Sequence, residues 1–356
     1  MADVAVWGRV PPPIGGMAVH LQRLLPYLDR TGISVQMYSV GRRTPHHPLV
    51  RQVSDHKLIW FLGLLFGPCE PVHYVFSDNT WSRFAAALLA TIRRVNVVLR
   101  IGGESLANTL RSHRVLDRYL TRLAIQNVTV VIGVNEAICE LALLNGARRV
   151  LHIPGFIAPS STPEVLPPEV ATFLHVDDGP VLLASGEIQG SGDSDLYGAY
   201  ALIDLLECLP HVRLIYFAYC ITLGEDKQLQ LATEIRRRGL ERRYLLFRSD
   251  AELFPVMRHC DLLIRPTLSD GDANSVREAL HVGLPVVASD CVKRPEGVVT
   301  FQTGNLDELK NAVIEVLNNQ EKHRKHVRAL KGPNNAKPVV ALFNELLNRT
   351  DAAAVD

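Results

Sequence analysis

"DLLIRPTLSDGDANSVREALHVGLPVVASD" spans residues 261–290, and its reading decides the fold. "DLLIRPT" is an apolar run of strand length, "SVREALHVG" has helical spacing and stops at Gly283, and "LPVVASD" is a second strand-length run. Two such runs joined through a helix make a βαβ unit with parallel strands. The same alternation fills the chain before it. "DVAVWG", "ISVQMYSVG", "PVHYVFS", "VNVVLRIGG" and "VTVVIGVN" alternate with "GMAVHLQRLLPYL", "RFAAALLATIRR" and "VLDRYLTRLAIQN". After residue 178 the strand-like "PVLLASG", "VRLIYFA" and "RYLLFRS" alternate with the helix-like "DLYGAYALIDLLECL" and "KQLQLATEIRRRG". The pattern predicts an α/β protein built of doubly wound parallel sheets.

A Pro-rich stretch, "IPGFIAPSSTPEVLPPEV", interrupts the alternation at residues 153–170. It divides the chain into a first domain over residues 1–158, a linker over 159–178 and a second domain over 179–332. A Pro/Gly/Asn break at "KGPNNAKP" then sets off residues 333–356, an amphipathic helix and tail with no evident docking partner. At 356 residues the chain is long enough for about two domains.

The hydrophobic fraction of 47% is that of a globular protein. Six cysteines lie far apart with no C-x-x-C pair, which fits a reduced, cytoplasmic protein with structural thiols. The N-terminal "MADVAVWGRVPPP" lacks a basic segment leading into an apolar one, so no export signal is expected. The longest apolar run, "LIWFLGLLFG", is shorter than the roughly 20 residues of a spanning helix. Net charge is +1, but residues 1–155 hold 17 of the 38 Lys/Arg and 9 of the 37 Asp/Glu, which makes them +8 and the remainder −7. A basic half suits nucleic acid, an anionic membrane or a phosphorylated substrate, and it also occurs without any partner.

Open α/β sheets bind ligands at the carboxyl ends of their strands. The loop after "DLLIRPT" therefore marks the candidate site: Asp270, Gly271, Asp272, Ala273, Asn274 and Ser275, followed by Glu278 inside the helix. Small residues admit a ligand close to the backbone, and a helix N-terminus favours a phosphate. Glu278 could accept from the vicinal hydroxyls of a ribose, and Asp270 could hold hydroxyls of a second sugar across the diphosphate. A helix N-terminus with an acidic cap, needing no ligand, fits the same spacing.

The segment resembles the signature of the family-four (group 1 type) retaining glycosyltransferases. "RPT", Asp270, Glu278, Ala279 and "GLPVVAS" follow the family pattern in order, with Asp in place of its first Glu. "PPPIGGMAVHLQRLLPYL" is similar to the family's first loop and helix, with Gly15 and Gly16 at the donor-facing turn and His20 in the helix pattern, and the likeness extends from about residue 5 to about residue 320. The resemblance implies a GT-B fold, two Rossmann-like doubly wound domains facing each other across a cleft, the first binding acceptor and the second nucleotide sugar. It implies Asp270 and Gly16 as catalytic residues, and charge balance at a departing diphosphate adds Arg265, which flanks the signature. Donor-binding positions are Gly15, Gly16, Asp270–Ser275 and Glu278, with base contacts at Phe247 and Arg248.

Two departures from the family stand out. Ile101 occupies a position where a His usually approaches the reacting sugar, a contact that could pass to His73. "ASGEIQGSGDSDLYG" has Glu187, Asp193 and Asp195 where members carry an Arg and a Lys on the diphosphate. Arg265, Arg9, Arg100 and Arg277 are the candidate replacements. The tripeptides Asp270–Asp272 and Asp193–Asp195 have the D-x-D spacing of metal-dependent transferases, yet the resemblance implies catalysis without metal or cofactor.

The implied activity is retaining transfer of a hexose or N-acetylhexosamine from a nucleoside-diphosphate sugar, first of all a UDP-sugar. The acceptor would be a saccharide or a lipid-linked saccharide in surface polysaccharide or glycoconjugate biosynthesis. The implied setting is the cytoplasm, with the basic first half against an anionic inner membrane face and no nucleic-acid partner. A nucleotide-sugar epimerase of the same architecture and a non-catalytic nucleotide-sugar-binding homologue stay open beside it.

Overall fold

The computed structural model describes residues 2–8, 16–40, 49–53, 56–67, 70–103, 105–159, 165–176, 179–189, 191, 195–219, 225–249, 252–330 and 332–348. One unit comprises Met1–Ser160 with Asn334–Asp356, the other Ser161–Pro333.

In the first unit, strands β1 (Val4–Gly8), β2 (Val35–Val40), β3 (Val50–Val53), β4 (Val72–Ser77), β5 (Asn96–Ile101), β6 (Val130–Gly133) and β7 (Val150–His152) form a parallel sheet in the order β3-β2-β1-β4-β5-β6-β7. Helices α1 (Gly16–Arg30), α2 (Lys57–Phe66), α3 (Thr80–Arg93), α4 (Ser105–Arg111), α5 (Val115–Asn127) and α6 (Glu136–Leu144) connect them. Both faces are covered, which is why strands such as "NVVLRI" are almost continuously apolar. Successive side chains still divide between faces: Val4, Val6 and Tyr74 join one core, Ala5, Trp7 and Val75 the other. Asn79 and Asn135 cap α3 and α6, each side-chain oxygen accepting the backbone N–H three residues on.

The second unit contains α7 (Pro168–His175), β8 (Val181–Gly186), α8 (Ala201–Cys208), β9 (Arg213–Tyr219), α9 (Glu225–Arg237), β10 (Tyr244–Ser249), α10 (Phe254–Met257), β11 (Leu262–Arg265), α11 (Asn274–His281), β12 (Val286–Ser289), β13 (Val298–Phe301), α12 (Leu306–Asn318) and α13 (Gln320–Ala329). Its parallel sheet runs β10-β9-β8-β11-β12-β13. Short edge strands β3, β7 and β13 extend the two sheets beyond the strands expected from sequence. Helix α8 starts later than "DLYGAYALIDLLECL" predicts. Gly198 has φ +73°, and Asp195 accepts the N–H groups of Ala199, Tyr200 and Ala201, so the chain turns there before the helix begins.

Two expectations about domain boundaries change. The stretch read as a linker over 159–178 contains α7, whose Val170 and Phe173 belong to the core of the second unit. Arg213 fastens it by donating from Nη1 to the Phe173 carbonyl at 2.7 Å. The C-terminal helix α14 (Ala336–Leu346), without an evident partner in the sequence, packs in the first unit. Val339, Val340, Leu342 and Phe343 enter the core beside α1, with Phe343 edge-on to Tyr74 at 5.3 Å. Asn335 donates to the Phe156 carbonyl at 2.8 Å, and Arg149 pairs with Glu345.

Candidate functional site

In the second sheet β8 and β11 are neighbours, with β9 and β10 on one side and β12 and β13 on the other. The direction of winding reverses between β8 and β11, and the carboxyl ends of these two strands therefore form the topological switch point at which such sheets bind ligands. Arg265, the last residue of β11, bridges them: its Nη1 donates to the Ser185 carbonyl on β8 at 2.9 Å. The loops are tied as well, since the Leu268 N–H donates to the Leu196 carbonyl at 2.9 Å. Gly198 makes this approach feasible; a Cβ there would lie 2.4 Å from Pro266 Cγ.

Asp270 sits at the centre of this crevice between two arginines. Arg265 donates to its Oδ2 from Nε at 3.1 Å and to its Oδ1 from Nη2 at 3.3 Å. Arg294, from the loop after β12, donates to Oδ2 from Nη1 at 2.8 Å, and the Gly271 N–H reaches Oδ1 at 3.1 Å. All three charged side chains are buried, Asp270 to 8%, Arg265 to 9% and Arg294 to 3% exposure. Burial opposes ionisation of Asp270, but Arg265 and then Arg294 outweigh it and hold the carboxyl below its ordinary range. The rest of the Arg294 fork is also engaged: Nε donates to the Ser289 carbonyl at 2.8 Å, and Nη2 approaches Thr267 Oγ1 and Ser289 Oγ at 3.3 Å. The Arg265 guanidinium lies 5.0 Å from the Tyr197 ring centroid.

Several sequence expectations need correction here. A carboxylate has about four lone-pair positions, and Asp270 already accepts four N–H donors, so it cannot also hold sugar hydroxyls unless one gives way. Arg265 is a partner of Asp270, not a cation standing apart from it. Asp272 Oδ1 accepts from Arg277 Nε at 2.6 Å, which assigns Arg277 to the loop and not to a diphosphate. Each carboxylate of the Asp270–Asp272 tripeptide thus pairs with arginine, and Asp195 is spent on backbone N–H groups, so neither offers an open ligand pair for a divalent ion. Among the described residues no three His, Cys, Asp or Glu side chains cluster as a metal would require.

Helix α11 begins behind this cluster without a side-chain cap, Ala273 preceding it in extended conformation and Asn274 and Ser275 forming its first turn. Glu278 follows on the buried side of the helix with Ser275, Val276 and Ala279, at 6% exposure. Gly283 ends the helix with φ +77°, as its place in the sequence predicts. On β10, Phe247 is buried edge-on against Phe217 at 5.3 Å, whereas Arg248 is exposed and donates to Gln228 Oε1 at 2.6 Å. Glu187 is half-buried after β8 and accepts from Gln189 Nε2 at 3.2 Å.

In the first unit, Gly16 opens α1 and is exposed, while Gly15, Arg9 and, in the second unit, Asp193 lie outside the described residues. His20 is buried, its Nδ1 2.6 Å from the Gly155 carbonyl oxygen, and burial followed by the nearby Arg100 holds its pKa well below the usual imidazole range. Arg100 donates to the Ile153 and Pro154 carbonyls at 3.0 Å and to Tyr74 Oη at 3.1 Å, so it braces the core and is not the missing diphosphate cation. Ile101 lies in the core and His73 is fully buried, its Nδ1 accepting the Trp7 indole N–H at 3.1 Å. His73 therefore cannot take over a sugar contact. No helix among the described residues is long and apolar enough to cross a membrane.

Residues 196–319, which contain Asp270, Glu278 and Arg294, match the family model described as glycosyl transferases group 1. These residues are similar to a group 1 glycosyltransferase domain. Solved structures align over almost the whole chain. Anabaena HepE in complex with UDP-glucose has a TM-score of 0.70 at 19% identity, covering 97% of this chain and 98% of that one. Sucrose-phosphate synthase from Thermosynechococcus elongatus gives 0.68 at 15%, covering 97% and 98%. A candidate UDP-N-acetylglucosamine 2-epimerase from Listeria monocytogenes gives 0.68 at 16%, covering 100% of both. At these identities the likeness bears on fold, and the fold is GT-B. No curated protein sequence matches the chain.

Sequence reasoning missed Arg294 and Tyr197, and it quoted Thr267 and Ser289 only as parts of "RPT" and "GLPVVAS". Arg294 lies in "CVKRPEG", a loop without periodicity, and only a search for a cation near the strand ends would have singled it out.

Proposed function

We propose that the protein transfers a hexose or N-acetylhexosamine from a UDP-sugar to a saccharide or lipid-linked acceptor, with retained configuration and without a metal, in surface polysaccharide or glycoconjugate assembly. The observation that carries this reading is the placement of the signature: the loop Asp270–Ser275 and the helix with Glu278 stand at the switch point of the second sheet. In this reaction the bond from the anomeric carbon to the diphosphate oxygen breaks and the bond to the acceptor oxygen forms on the same face. The acceptor proton passes to the departing phosphate, so no protein base is demanded. The protein must orient both partners and stabilise charge on the leaving UDP. Within their own cluster Arg265 and Arg294 exceed Asp270 by one positive charge, a local surplus that can face a diphosphate where the Arg/Lys pair is absent. Glu278 receives the ribose hydroxyls in this reading, and the α11 N-terminus the phosphate.

A lipid-linked acceptor fits the first unit. Val115, Leu116 and Tyr119 of α5 are 60–68% exposed, and Arg111, Arg114, Arg118 and Arg122 surround them in the sequence. Apolar side chains with arginines suit the surface of an anionic bilayer on the cytoplasmic side.

The deciding experiment incubates the protein with UDP-sugars, with and without saccharide and polyprenyl-diphosphate-linked acceptors, in the presence of EDTA. UDP release that requires acceptor, with an α-linked product from an α-linked donor, supports transfer. The epimerase reading has one observation in its favour, the full-length likeness to the Listeria protein. Conversion of UDP-N-acetylglucosamine without acceptor would establish it instead, and UDP binding without any turnover would identify a binding homologue.

A further inference from the structure

Opposite the Asp270 cluster, at the amino ends of β11 and β12, the second unit holds a cavity of about 380 Å³. Met257 at the end of α10 and Leu284 before β12 give it apolar walls, and Arg258, His281, Arg324 and Arg328 give it a basic lining. None of its lining residues is acidic. The guanidiniums come from two separate elements of the unit, Arg258 following α10 and Arg324 and Arg328 on α13, while His281 ends α11.

Local contacts hold this lining in place. Arg324 Nη2 donates to the Cys260 carbonyl at 2.9 Å and to Asp261 Oδ1 at 3.4 Å, a carboxylate that offsets part of the charge. Arg258 lies over the Phe254 ring at 5.9 Å from its centroid. The Arg328 stem crosses Gly283, where a Cβ would come within 2.6 Å of its Cγ, so the glycine that ends α11 also makes room for this arginine. Three guanidiniums around one space repel one another, and their planar forks match the oxygens of a phosphate group. This basic cluster stands in a half of the chain whose net charge is −7 by the count above.

We propose that this cavity binds a small phosphorylated anion, at a second site distinct from the candidate donor crevice. Its volume lies within the roughly 300–1,000 Å³ of small-ligand pockets, which favours a compact soluble phosphate or diphosphate compound over a polymer lying along the surface. A ligand there would contact the last turn of α11, the helix whose interior carries Glu278, and would bear on the donor crevice through that helix. The inference does not depend on the nature of the transferred sugar.

Calorimetric titration of the full chain with pyrophosphate at constant ionic strength tests the assignment in the wild type, Arg258→Gln/Arg328→Gln and Arg258→Lys/Arg328→Lys. Arg258 and Arg328 are exposed, and Arg324 is left to hold Asp261, so the variants should keep the wild-type melting temperature in chloride buffer. The expected result is saturable binding to the wild type, at least tenfold weaker in the glutamine pair and intermediate in the lysine pair, with an unchanged response to UDP. Equal binding by wild type and glutamine pair would place the anion elsewhere and overturn the proposal. So would a wild type that binds no pyrophosphate, or one that binds phosphatidate vesicles and no pyrophosphate.

Discussion

Arg294 Nη1 stands 2.8 Å from Asp270 Oδ2 across 24 residues of sequence, and the pair is buried. Breaking a buried ion pair outright costs about 3–5 kcal/mol, and removing Arg294 costs less than that because Arg265 still pairs with Asp270. Arg294→Gln should therefore lower the melting temperature, and it should weaken UDP more than uridine if the net positive charge serves the diphosphate. Calorimetry with both ligands below the new melting temperature checks this; equal effects on both would confine Arg294 to a structural role.

Glu278→Ala removes the carboxylate proposed for the ribose. Hydrogen bonds to a charged group contribute about 1.5–3 kcal/mol, so UDP affinity should fall by roughly 10- to 100-fold. The same substitution should reduce discrimination between UDP and 2′-deoxy-UDP. Unchanged affinity in a folded variant would remove Glu278 from the donor site.

His73 introduces a pH dependence. Burial above all lowers its pKa to about 4 in the folded chain, against about 6.5 when unfolded. Below pH 6.5 the unfolded state binds the extra proton and the folded state does not, so stability falls as pH falls from 6.5 to 4. The loss from this group is on the order of 3 kcal/mol across that window. Denaturant melts of the wild type and His73→Phe between pH 7.5 and 4.5 should show a shallower decline in the variant; parallel curves would assign the acid sensitivity to other groups.

Phe343 on α14 is fully buried against Tyr74. Phe343→Ala should cost about 3–5 kcal/mol, the range for deleting a buried aromatic ring. Limited proteolysis should then cleave the first unit first, because the lost contacts belong to it.

The two-domain α/β plan was legible because period and composition are local: β-branched runs and helical spacing repeat, and Gly283 ends α11 where it stands in the sequence. The loop Asp270–Ser275 was legible for the same reason, as residues that follow a strand and open a helix. Asp270's occupancy was not. Its partner Arg294 comes from a different loop, and nothing in "CVKRPEG" shows that β12 returns beside β11 and brings that arginine to the same crevice.

The sequence by itself determined the class of fold, the order of its elements and the segment that forms the switch-point loop, since each depends on neighbours a few residues apart. Only the tertiary structure decided that Asp270 is held by two arginines, that His73, Arg100 and Ile101 belong to the core, and that α14 completes the first unit. Those outcomes depend on which distant surfaces bury each other's apolar area and which charges meet inside, and neither is encoded in the spacing of residues along the chain.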